Sequence, residues 1–111
     1  MSIADDILSC FNPDDRRPVR CQALAGKDLF LKPASAADID HYAAALRGDR
    51  YGGSPATAIA CRLLVDGAGK RVFADTDPDA VADRLSSRIG GELLEQAIDD
   101  GLLGRDVETA E

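Results

Sequence analysis

Long apolar runs are missing from this sequence. Nowhere do apolar residues approach the ~20 in succession that a membrane-spanning helix needs. The opening stretch, Met1 to Cys10, carries Asp5 and Asp6 and no basic residue, so it lacks the basic start of a secretory signal. Cysteine is sparse and odd in number: Cys10, Cys21 and Cys61 form no C-x-x-C pair. That argues against a disulfide framework and for reduced thiols in a cytoplasm. Histidine occurs once, at His41. A structural zinc site wants four ligands in close pairs, so this inventory predicts no metal site. Internal repeats and low-complexity segments are absent as well.

What remains suits one small domain. The chain has 111 residues, 45% of them apolar, enough for one core and too many for a compositionally disordered chain. The net charge is −7, from 20 acidic and 13 basic residues. An acidic surface repels phosphate backbones, which disfavours nucleic acid as a partner. Arg16, Arg17 and Arg20 form the densest basic cluster, but Asp14 and Asp15 sit beside them. The cluster reads as part of a solvated arm.

Residues 1–17 are expected to be a flexible N-terminal arm, in which Ile3, Ile7, Leu8 and Phe11 could share one helical face. Asn12-Pro13-Asp14-Asp15 breaks that face. Residues 19–24 alternate apolar and polar, the mark of a half-buried strand. Ala25-Gly26-Lys27-Asp28 supplies a turn, and residues 29–32 form a second strand ended by Pro33. Such a hairpin is marginal alone and must pack on helices or pair further. Ser35 and Asp38 mark a helix start; Ile39, Tyr42, Ala43 and Leu46 line its face, and Gly48 stops it. Ser54-Pro55 starts another, with Ala56, Ile59, Ala60, Leu63 and Leu64 on its face and Asp66-Gly67 at its end. Val72-Phe73 reads as a short extended piece. Asp77-Pro78 starts a third helix. A break near Ser86–Gly91 is expected to end it, because each mid-helix glycine costs about 1 kcal/mol relative to alanine. A last helix then covers Ile89 to Asp99, ended by Gly101 and Gly104. The fold expected is α+β: a short N-terminal antiparallel β-hairpin followed by three or four packed helices. They form a single domain over 18–104, with a flexible C-terminal tail at 105–111.

The chemical inventory is thin. His41, oriented by Asp38 or Asp40, could act as a general base, but the sequence places no nucleophile beside it. Gly67-Ala68-Gly69-Lys70-Arg71 misses the phosphate-loop pattern, with arginine where a hydroxyl would hold Mg²⁺. Asp75, Asp77 and Asp79 alternate like the opening of a calcium loop, but Ala80 replaces its glycine and Ser86 its final glutamate. Helix capping accounts for Asp77 and Asp79. No catalytic residue, metal ligand or cofactor is therefore expected, and recognition of another protein is the cheaper role.

The run Ala-Thr-Ala-Ile-Ala-Cys-Arg-Leu-Leu-Val-Asp-Gly-Ala-Gly-Lys-Arg-Val-Phe-Ala-Asp-Thr-Asp, residues 56–77, resembles a pattern of phage tail assembly chaperones. In them a helix ends in valine–aspartate, x, x, glycine–lysine–arginine, an apolar residue, phenylalanine, x and aspartate. A helix and a leucine- and alanine-rich last helix follow, and Asp79–Leu85 and Leu93–Leu103 occupy those places. The resemblance covers about two thirds of the chain and departs from the pattern at Asp99-Asp100. It implies a cytoplasmic, non-catalytic protein that binds the tape-measure protein during tail morphogenesis and is not part of the finished tail. It further implies possible contact with the tail tube protein, a frameshifted longer form of the chain, or a homo-oligomer. The alternatives are a structural tail or head-completion protein retained in the virion, a small intracellular adaptor, or, in another class, a small enzyme using His41 or Cys61. The apolar set of the final helices offers a binding surface. Leu94, Ile98 and Leu102 are the candidate protein-binding residues, made adaptable by Gly90 and Gly91.

Overall fold

A computed structural model describes residues 2–8 and 15–103. The predicted tail at 105–111, Cys10 and Phe11 lie outside them. Among the described residues, five α-helices and a three-stranded antiparallel sheet make up an α+β domain. In chain order they are α1 (Ile3–Leu8), β1 (Arg17–Pro18), β2 (Leu29–Leu31), α2 (Ala36–Leu46), α3 (Pro55–Leu63), β3 (Leu64–Asp66), α4 (Pro78–Arg84) and α5 (Ser87–Asp99).

The helix starts read from the sequence are built as local chemistry dictates. Ser35 and Asp38 form a reciprocal capping box on α2: Ser35 Oγ accepts from the Asp38 amide at 3.3 Å, and the Ser35 amide donates to Asp38 Oδ2 at 3.0 Å. Ser54 Oγ accepts from the Thr57 amide at 3.2 Å, with Pro55 at the first position of α3. Asp77 caps α4 ahead of Pro78.

The strands depart from expectation at both ends. Residues 19–24 do not form a strand. Pairing starts earlier, with Arg17 opposite Leu31 and Pro18 opposite Phe30, and residues 22–24 close into a single 3₁₀ turn. The alternation is real, but this turn satisfies it by burying Cys21 and packing Val19 and Leu24 against the core. A third strand was missed. α3 stops at Leu63, the chain becomes extended at Leu64, and Leu64–Asp66 pairs with β2. Leu64 was read as the end of a helical face. Its burial, and that of Val65, is achieved in the sheet instead, where a β-branched residue fits well.

Beyond β3 the chain turns back on itself. The Asp66 carboxylate accepts from the amides of Ala68 (2.9 Å) and Lys70 (3.0 Å), Gly69 takes φ +85°, and Arg71 bridges Val65. The extended piece expected at Val72-Phe73 is thus reduced to the bridge at Arg71, followed by turns. The break expected near Ser86–Gly91 falls at Leu85-Ser86, ahead of the glycines, and α5 runs unbroken through both of them. Gly90 is buried there. A Cβ on it would lie 3.1 Å from Ala56 Cβ and 3.2 Å from Leu85 Cδ2, so its lack of a side chain lets α5 pass close to the start of α3.

The main core joins β2, α3 and α5 through Leu31, Ile59, Ala60, Leu63, Leu93 and Ala97. Buried Gln96 ties the sheet edge to α5: its Nε2 donates to the Pro18 carbonyl and its Oε1 accepts from the Arg20 amide, each at 2.8 Å. The end of the described chain is held in turn, the Ala34 amide donating to the Leu102 carbonyl at 2.8 Å. α1 contributes nothing to the core; Ile3, Ile7 and Leu8 are all exposed. Among the described residues, no helix is long and apolar enough to cross a membrane.

Candidate functional site

Two neighbouring concavities share one wall. The larger, about 460 Å³, is polar and lies where α2, the loop before α3, α3 itself and the Asp66–Asp77 segment meet. The loop, residues 48–53, is tightly wound. Gly48, Gly52 and Gly53 take positive φ, and so does Tyr51, at +56°. A tyrosine in that region is strained, and such strain persists only where the surroundings hold it. Here the Tyr51 ring is buried among Ala45, Ala58, Cys61 and Val81, and its hydroxyl lies 2.9 Å from His41 Nδ1.

Arg50, one residue earlier, reaches the same nitrogen at 3.0 Å. A guanidinium can only donate, so Nδ1 accepts, and the tyrosine hydroxyl donates to it as well. Burial lowers the His41 pKa, and the positive charges of Arg62, Arg50 and Arg71 push the same way against Asp38. The imidazole is therefore neutral at pH 7. Beneath it, Asp38 is almost fully buried between Lys32 and Arg62, with Arg62 Nε donating to Oδ1 at 2.8 Å. Burial alone would raise the Asp38 pKa; the hydrogen bonds from Lys32, the Ser35 amide and Arg62 together hold it below the usual carboxylate range. Cys61 is buried, which pushes its thiol up, although Arg71 and Arg62 pull it down. The hydrogen bonds of His41 go to Tyr51 and Arg50, not to the Cys61 sulfur.

The smaller concavity, about 350 Å³, is an apolar groove between α4 and α5, lined chiefly by Phe73, Ala80, Val81, Leu85 and Ile89. Phe73 and Thr76 belong to both hollows. Comparison of the chain with family models, with curated proteins and with solved structures finds no match.

The three residues singled out as a protein-binding surface lie away from this groove. Leu102 is buried in the main core at 7% exposure, and Leu94 and Ile98 are half-buried against that core. The groove is lined by Val81, Leu85 and Ile89. Of the polar cleft, His41 and Cys61 had been noticed as chemistry and Arg71 as part of a glycine-rich turn. Arg50, Tyr51 and Arg62 had not. A buried aromatic wedged between Arg50 and Gly52-Gly53 is the only signal that could have marked them.

Proposed function

We propose that this chain is a non-catalytic tail assembly chaperone of a long-tailed phage or prophage. It acts in the host cytoplasm by binding the tape-measure protein during tail morphogenesis. One observation carries the reading: the 56–77 run that resembles the chaperone pattern folds as a continuous unit. α3 delivers β3, the Asp66–Lys70 turn reverses the chain, and Phe73 then forms a wall of the apolar groove ahead of α4. An apolar groove between helices accepts the apolar face of another helix, the recognition mode a long helical partner requires. An acidic net charge keeps such a binder soluble.

Leu94 and Ile98, half-buried on α5, are a second apolar surface for the same partner, with Leu102 behind them holding the helix end. The test is co-expression with fragments of a tape-measure protein. The fragment should stay soluble and co-purify. Ile89→Ser should weaken capture if the groove is the contact, and the pair Leu94→Ser and Ile98→Ser if the outer face of α5 is. Thermal melting of each variant separates lost binding from lost folding. A wild-type chain that captures no fragment, or that is found in purified virions as a stoichiometric component, overturns the chaperone reading.

A further inference from the structure

Three arginines meet in the polar cleft of a molecule that is acidic as a whole. In a chain of net charge −7, Arg50, Arg62 and Arg71 reach one hollow from three different segments. Arg62 is engaged with Asp38, and Arg50 donates to His41. Arg71 is half-buried, and among the described residues no carboxylate pairs with it. A half-buried cation without a counter-ion keeps a desolvation cost that an incoming anion would relieve. The strained loop that places Arg50 and Tyr51 points the same way, because strain of this kind concentrates at ligand sites.

The rim limits which anion fits. Asp49, Asp77 and Asp79 also line the hollow. Asp49 is paired with Arg47 at 3.0 Å, and the Asp77 carboxylate accepts from the Asp79 amide at 3.4 Å. Arg47 thus answers Asp49, while Asp77 and Asp79 keep their charge on the rim, which leaves room for a single negative charge beside Arg71 and Arg50 and opposes a phosphate dianion or a nucleic-acid backbone. We infer that the cleft is a carboxylate-binding site, with Arg71 as the principal partner and Arg50 beside it. The carboxylate is an acidic side chain on a helix whose apolar residues fill the adjoining groove. Continuity of the two hollows through Phe73 and Thr76 carries that choice of occupant, which rests on the binding role proposed above.

The test uses the full chain and two arms. In the first, acetate is titrated against chloride at equal ionic strength while NMR follows the arginine side-chain and His41 ring signals. Saturable shifts at Arg71 and His41 are expected, weakened roughly tenfold or more by Arg71→Gln, the loss of one charge-assisted bond. Arg71→Lys should retain part of the binding. Among the described residues the Arg71 side chain makes no hydrogen bond or ion pair, so both variants should melt near wild type. Absence of saturable shifts, equal binding in Arg71→Gln, or tighter binding of inorganic phosphate overturns the inference. In the second arm, Arg71→Glu should weaken capture of a tape-measure fragment in a salt-dependent way. If acetate binding is lost but capture is unchanged, the helix is overturned as the source and a free small carboxylate is supported, while the chaperone reading stands.

Discussion

The two flanks of α3 are built on different principles. One presents Ile59, Ala60 and Leu63 to Leu31, Leu93 and Ala97, all aliphatic and nearly all excluded from solvent. The other presents Ala58, Cys61 and Arg62 to Tyr51, Val81 and the polar cleft. The first flank is held by apolar area and volume, which aliphatic residues of similar size can supply interchangeably. The second is held by directional contacts on a strained loop, where one atom out of place leaves a charge or hydroxyl unsatisfied. The aliphatic side and the polar side are thus two faces of a single nine-residue helix.

Asp38 joins the flanks, and breaking it should have the largest effect. It caps α2, and it pairs with Lys32 next to β2 and with Arg62 on α3. Asp38→Ala strands two partly buried cations and removes the capping box, at a cost of about 3–5 kcal/mol in urea or thermal unfolding. Asp38→Asn keeps the cap acceptor and should cost less. If the alanine variant loses under 1 kcal/mol, as an exposed pair would, the ion triad is not what couples the flanks. On the aliphatic side, Leu63→Ala should cost about 2–5 kcal/mol, the usual range for a buried leucine. Cys61→Ala, which removes only a sulfur on the other flank, should cost distinctly less.

Protonation sharpens the same contrast. The folded Asp38 carboxyl titrates below its ordinary value, so its contribution is complete above the unfolded carboxylate range near pH 4 and is lost as pH falls through the lower folded value. His41 is held neutral by burial and by the neighbouring arginines. The unfolded imidazole takes up a proton near pH 6.5 while the folded one does not, so stability starts to fall below that pH. Melting temperatures should be level above about pH 7 and decline in two steps, the first near the imidazole range and the second below the carboxylate range. His41→Gln should remove the first step and spare the second. A single step in the wild type would mean that His41 does not feel the arginine cluster.

The aliphatic flank was largely readable in the sequence and the polar flank was not. Helix starts declare themselves through side chains that bond their own backbone, so Ser35, Ser54 and Asp77 were each placed correctly. Apolar spacing put Ile59, Ala60 and Leu63 on one face. The same spacing misled at Leu64, because a buried leucine satisfies either a helix or a strand and periodicity alone does not choose. It misled again at 19–24, where an alternation was met by a turn. The cleft depends on residues far apart in the chain, Arg50 with Arg62 and Arg71, and on a tyrosine in a backbone region where glycine is the default. Residue spacing carries neither kind of information.

The smallest effect is also the cleanest discriminator, and it lies at the paired glycines of α5. The expected break falls just ahead of this helix, and the two glycines lie inside it, so both positions carry the propensity cost. At Gly91 nothing lies within 4 Å of where a Cβ would stand. Gly91→Ala should therefore recover the propensity difference and stabilise by up to about 1 kcal/mol. At Gly90 the same methyl would press on Ala56 Cβ and Leu85 Cδ2, contacts tighter than ordinary van der Waals separation. Leu85 can yield by shifting the tip of its side chain, whereas Ala56 Cβ is fixed to the first turn of α3. Gly90→Ala should accordingly fall short of Gly91→Ala in melting temperature and gain nothing unless α5 moves off α3. Since Leu85 also lines the apolar groove, that movement would show as a change in helical-partner capture that Gly91→Ala does not produce. Equal stabilisation by the two alanines would mean that α5 does not pack on α3 as closely as the buried Gly90 implies, and that the groove beside it is correspondingly looser.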